Sequence, residues 1–141
     1  MTARDLDELR SFKVPKDPQY ALVSGLDSIV LLRRDLASLV DAEDRKRSVF
    51  VDRDSKELGG LKDLPSQAIM DRGRVVGIWE YDSVANEIVW VSFVKKNKAL
   101  QNAVDRMQEF IRSQLGDVRS FSLDSPKSRV PRIESLRKAA G

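Results

Sequence analysis

Residues 67–82, Gln67-Ala68-Ile69-Met70-Asp71-Arg72-Gly73-Arg74-Val75-Val76-Gly77-Ile78-Trp79-Glu80-Tyr81-Asp82, run on through Ile88-Val89-Trp90-Val91-Ser92-Phe93-Val94 and read as a three-stranded antiparallel meander. Asp71-Arg72-Gly73 is a tight-turn signal: the glycine accepts the positive φ of a short hairpin loop, and the aspartate can hydrogen-bond its own backbone. The second connection keeps Asp82, Ser83, Asn86 and Glu87 for solvent. Apolar residues fall on both parities. Strict alternation puts Val75 and Trp79 on one face and Val76 and Ile78 on the other, followed by Ile88, Trp90 and Val94 against Val89, Val91 and Phe93. Both faces of this sheet are therefore expected to be covered.

A chain of 141 residues is the size of one domain with one core. It has no cysteine and no histidine, which excludes disulfides, thiolate chemistry, the usual zinc sites and imidazole general-base catalysis. No run of about eighteen apolar residues is present, and charge begins at Arg4, so the expectation is a soluble, cytoplasmic protein with no membrane partner. A formal net charge of +3 is too small to name a partner. The basic residues cluster, however, as Arg33-Arg34, Arg45-Lys46-Arg47, Arg72 with Arg74, Lys95-Lys96 with Lys98, and Lys127, Arg129, Arg132, Arg137 and Lys138.

Along the chain, residues 1–19 form a short helix, with Thr2 as its N-cap, and a proline-containing linker. A single α+β domain occupies residues 20–141. Tyr20-Ala21-Leu22-Val23 and Ile29-Val30-Leu31-Leu32 read as strands, Leu36, Leu39 and Val40 as a brief helix, Ser48-Val49-Phe50-Val51 as a strand, and residues 52–65 as a loop. From Asn97 the period lengthens to about 3.6: Leu100, Ala103, Val104, Met107, Ile111 and Leu115 make one stripe, with Asn97 as cap and Gly116 as stop. Val118 to Leu123 suits a last strand. A terminal helix follows Ser128 or Arg129, with Pro131 in its first turn and Val130, Ile133 and Leu136 as its apolar side. The expected fold is a curved antiparallel sheet, barrel-like in its curvature, with one long packed amphipathic helix and a basic C-terminal helix.

Chemical motifs are sparse. Ser92 and Lys95 have the serine-x-x-lysine spacing, but on a strand residues three apart point to opposite faces. Asp52 with Asp54, and Glu80 with Asp82, share a face on a strand and offer a cation site or an acid/base pair, against which stands a solvated strand end. Trp79 is the candidate stacking aromatic for a nucleobase, with core packing as the alternative. Arg72 and Arg74 at the first hairpin turn, and Lys127, Arg129 and Arg132 near Ser125 and Ser128 at a helix start, are the candidate phosphate contacts. The alternative for these arginines is to bridge carboxylates of their own domain. No catalytic residue, cofactor or metal is assigned.

The segments 68–82 and 121–133, together with Tyr20-Ala21-Leu22-Val23-Ser24-Gly25-Leu26-Asp27 and Leu31-Leu32-Arg33-Arg34, resemble the C-terminal β-rich region of a family of bacterial winged-helix DNA-binding proteins. That family includes DNA glycosylases acting on alkylated or crosslinked bases. Its members are longer, with tandem winged-helix units ahead of this region, and the glycosylases' polar catalytic motif lies in that preceding part. The resemblance implies a DNA partner, the remainder of a longer winged-helix protein, and an accessory role without catalysis. A protein-interaction or structural domain is the rival, and a carboxylate-based hydrolase a weaker one. Oligomeric state is left open.

Overall fold

The computed structural model describes residues 2–141. Helix α1 (Ala3–Ser11) is closed by a capping box in which Thr2 and Asp5 satisfy each other's backbone N–H groups. Strands β1 (Tyr20–Val23), β4 (Gln67–Asp71), β5 (Arg74–Asp82) and β6 (Glu87–Ser92) form one antiparallel sheet in the order β1-β4-β5-β6. The expected meander is therefore present, with β1 added beside β4. The sheet is open, β1 and β6 being its edges, and a hairpin of β2 (Ser48–Val51) and β3 (Asp54–Glu57) shares no strand pairing with it. No closed barrel forms among the described residues.

Both faces are covered. Helix α3 (Lys98–Phe110) lies over one face, where Leu100, Ala103, Val104 and Ile111 meet Leu22, Ile69, Val76, Trp79, Tyr81 and Ile88. Helix α4 (Pro126–Ala140), the β2–β3 hairpin and residues 30–40 cover the other, where Ile133, Leu136, Val49, Val30, Leu36 and Leu39 meet Ala68, Met70, Val75, Ile78 and Val89.

The face assignment of β5 departs from strict alternation. Ile69 pairs with Gly77 but Met70 with Val75, so Val76 is an extra residue, a β-bulge that turns Val75 to the α4 side and Val76 to the α3 side. A bulge inserts one residue and inverts every parity before it. Gly77 sits at this point because a Cβ there would lie 2.5 Å from the Val91 carbonyl oxygen. The Arg72-Gly73 turn has positive φ at both residues, as a two-residue hairpin of this hand requires.

Five other expectations are corrected. Residues 28–31 form one helical turn, α2 (Ser28–Leu31), since the Asp27 carboxylate accepts from the Ile29 N–H and only Val30 is buried. Residues 54–57, taken as loop, are strand β3, whose exposed Asp-Ser-Lys-Glu sequence shows no alternation. Residues 118–123 form no strand. The terminal helix begins earlier than expected, at Pro126, because Ser125 and Ser128 form a capping box; Pro131 then lies inside the helix and not in its first turn. The α3 stripe also ends early: a π-helical turn at Ile111–Leu115 rotates Leu115 out to 53% exposure before Gly116 stops the chain's helical course.

Candidate nucleic-acid interface and buried ion-pair network

The five residues expected at phosphates divide into three groups. Arg129 and Arg132 face inward. Arg129 is wholly buried, and its guanidinium donates to Asp117 through both terminal nitrogens at 2.7 and 2.8 Å and to the carbonyls of Tyr81 and Val118 at 3.0 and 2.8 Å. Its Nε lies 3.4 Å from the Asp124 carboxylate. Arg132 donates to Glu80 and Asp124, each at 2.8 Å, and its guanidinium sits 5.4 Å from the Phe121 ring centroid. These contacts fasten the irregular segment after α3, residues 116–125, to β5 and to α4. The chain can dispense with a strand there because Arg129 supplies donors to carbonyls that a strand would have paired.

Arg72 and Arg74 form the second group, at the hairpin turn. Arg72 is held by Asp71 and by the carbonyls of Pro15 and Lys16, which pins the linker against the turn. Arg74 pairs with Asp41, with both side chains largely exposed. Lys127, the third, is exposed at the start of α4, with no carboxylate partner among the described residues. The expected cluster is thus not one site: α4 presents Lys127 outward and buries Arg129 and Arg132. Trp79 is 2% exposed and donates its Nε1–H to the Ala68 carbonyl, so it is a core residue and not a stacking surface.

The carboxylates are likewise engaged. Glu80 and Asp82 do share a face, but Glu80 meets Arg132 while Asp82 accepts from Arg137 and from the Val84 and Ala85 N–H groups. Asp52 occupies the β2–β3 turn at positive φ, and Asp54 accepts from Ser55 N–H. Ser92 bonds Val94, not Lys95. Among the described residues no group of His, Cys, Asp or Glu could hold a metal ion.

Burial pushes the Glu80 carboxyl above its ordinary value of 4.5, against the pull of Arg132, Ser66 and Ser120. The Arg129 guanidinium holds Asp117 below its ordinary 3.8. For Asp124 burial is the largest single effect and acts upward, but the Ser120 N–H, Arg132 and Ser128 together keep it low. The two kinds of shift act oppositely on stability. The aspartates' contribution is present above 3.8 and is lost as pH falls through their lowered folded values. Glu80 holds its proton more tightly folded than unfolded, so its contribution is complete below 4.5 and is lost as pH rises through its raised value. Urea midpoints measured from about pH 3 to 8 should show that decline above 4.5 in the wild type. Glu80→Gln should abolish it while keeping the acid-side loss; an identical slope in the variant would contradict the assignment.

Sequence reading names the Lys95, Lys96 and Lys98 cluster but assigns it no contact, and it proves to be an uncommitted basic stretch at the exit of β6. Residues 88–104 carry Lys95, Lys96 and Lys98 and no acidic residue, and all three lysines are exposed. Lys96 lies over Trp90, its Nζ 4.7 Å from the ring centroid, and Arg47 lies over Phe93 at 4.9 Å. The signal available was the absence of carboxylates from this stretch. Comparison of the chain with protein-family models, with curated proteins and with solved structures finds no match.

Proposed function

We propose that this domain is an accessory DNA-binding module, one part of a larger winged-helix or DNA-glycosylase-like protein, that grips phosphates without reading sequence and performs no chemistry itself. The observation that carries the reading is the run Lys95, Lys96 and Lys98, exposed and without a carboxylate partner among the described residues; Arg47, which lies over Phe93, is already paired with Asp44. Backbone neutralisation needs uncommitted cations, because each phosphate contact releases condensed counterion. Arg129 and Arg132 are already committed, so the contacts move to the β6 exit, with Lys127 as an outlying one. Titration of two unrelated duplexes at stepped salt tests this. Wild-type binding should be weak, equal for both sequences and steeply salt-dependent, and Lys95→Glu with Lys96→Glu should weaken both alike and flatten the salt slope by about one unit per lost contact. No wild-type binding at low salt would overturn it.

The second reading is a protein-interaction domain without nucleic-acid contact. It is favoured by the internal pairing of the α4 arginines. In that case the double lysine variant would leave every binding property of the domain unchanged.

A further inference from the structure

We propose that the depression beside Trp90 takes one unpaired base, so that this module holds a single-stranded segment more tightly than a duplex; the inference rests on the nucleic-acid reading just given. Trp90 is on β6, an open edge of the sheet, and its ring is only partly buried. It borders the depression, of about 310 Å³, whose other walls include Glu87, Lys96, Arg137 and the last two residues of the chain. The depression is shallow and open to solvent, so it offers a ring face and not an enclosing pocket. The Glu87 carboxylate would repel a nucleotide, but Arg137 donates to it at 2.7 Å while also holding Asp82, and Lys96 lies over the Trp90 ring.

The chemistry of the site fits a base. Lys96 already rests on the Trp90 ring, which shows that this side of the ring is reachable. A base stacked there would displace the ammonium sideways, toward the phosphate that follows the base. Aromatic stacking of this kind contributes about 1–3 kcal/mol per base and tolerates any base, in keeping with a module that does not read sequence. A base in a duplex is stacked on both sides and offers only its edges, so it has no free face to lay on the ring. A single strand can.

Intrinsic fluorescence separates this inference from the reading beneath it, because the chain has two tryptophans and the other, Trp79, is enclosed. Oligothymidylate and a duplex of equal length, both dye-labelled, would be titrated at low salt while anisotropy and tryptophan emission are followed. Oligothymidylate should quench the emission and the duplex should not, although both bind by anisotropy. Trp90→Phe should keep the affinity and lose the quenching, which also shows that the site is intact. Trp90→Leu should weaken oligothymidylate by about 5- to 150-fold and leave the duplex unchanged. Equal quenching by the duplex, or quenching that survives in Trp90→Phe, would overturn the stacking site and leave phosphate binding in place. Absence of binding by either probe would overturn both.

Discussion

Arg129→Met is expected to destabilise the domain by about 3–5 kcal/mol, the range for removing one partner of a buried ion pair. The methionine fills similar space, so the loss is one of donors and not of packing. Asp117 would lose its guanidinium partner, Asp124 would keep only Arg132 of its two, and the carbonyls of Tyr81 and Val118 would lose a hydrogen bond each. Against a total stability of about 5–15 kcal/mol such a loss takes a large share of the folded population. Arg129→Lys should rescue little of it, since a single ammonium cannot span the two Asp117 oxygens, Tyr81 and Val118 together. Lys127→Met is the control: two residues away and exposed, it should change stability by no more than about 0.5 kcal/mol. Urea unfolding of the three variants decides the matter. If Arg129→Met and Lys127→Met unfold alike, the network does not hold the fold.

Leu100→Asp should leave no folded domain at all. Leu100 is fully buried at the start of α3, among Leu22, Ile69 and Trp79 of the sheet face it covers. An aspartate there would place an unpaired charge in a site that offers no donor, and the helix would lose one of its main anchors to the sheet. Met107→Asp, at the half-buried end of the same stripe, should be milder, because its side chain can turn toward water. Circular dichroism and heteronuclear NMR spectra should show an unfolded chain for Leu100→Asp and a dispersed, native-like spectrum for Met107→Asp. A native spectrum for Leu100→Asp would mean that α3 does not pack as described.

The meander was legible because its apolar residues are dense and its first turn carries glycine. The bulge at Val76 was not, since an inserted residue leaves no compositional trace and merely inverts the alternation on one side of it. Strand β3 was illegible for a plainer reason: Asp54, Ser55, Lys56 and Glu57 are all exposed, and the strand exists only because β2 pairs with it. The α3 stripe was correct until its π-helical turn, which changes the period just where the stripe was extended to Leu115.

At the C-terminal helix the misleading feature was charge. Arg129, Arg132, Ile133 and Leu136 fall at i, i+3, i+4 and i+7, the spacing of one helix face, so the two arginines belong to the buried stripe by position. Reading them as phosphate contacts follows from residue type and the neighbouring serines; the alternative, bridges to carboxylates of their own domain, is the one the structure has. The acidic partners that make their burial tolerable, Glu80, Asp117 and Asp124, are spread along the chain, and nothing local announces that they meet. Ser125 and Ser128 were legible as helix-start residues, but were taken for phosphate ligands when their hydroxyls are already used in capping each other's backbone.

The central claim is that the α4 arginines hold the fold while other cations meet the nucleic acid. Nitrogen-15 NMR of the arginine Nε–H groups tests it most directly, recorded on the free domain and again with saturating oligothymidylate. The Arg129 and Arg132 signals should be visible in both, protected from exchange with water by burial and by the Ser125 carbonyl for Arg129 and by Glu80 for Arg132, and should not move on binding, while backbone amides of Lys95, Lys96 and Lys98 shift. Rapid exchange of those two arginine protons in the free domain, or a shift in them when the nucleic acid is added, would contradict the account.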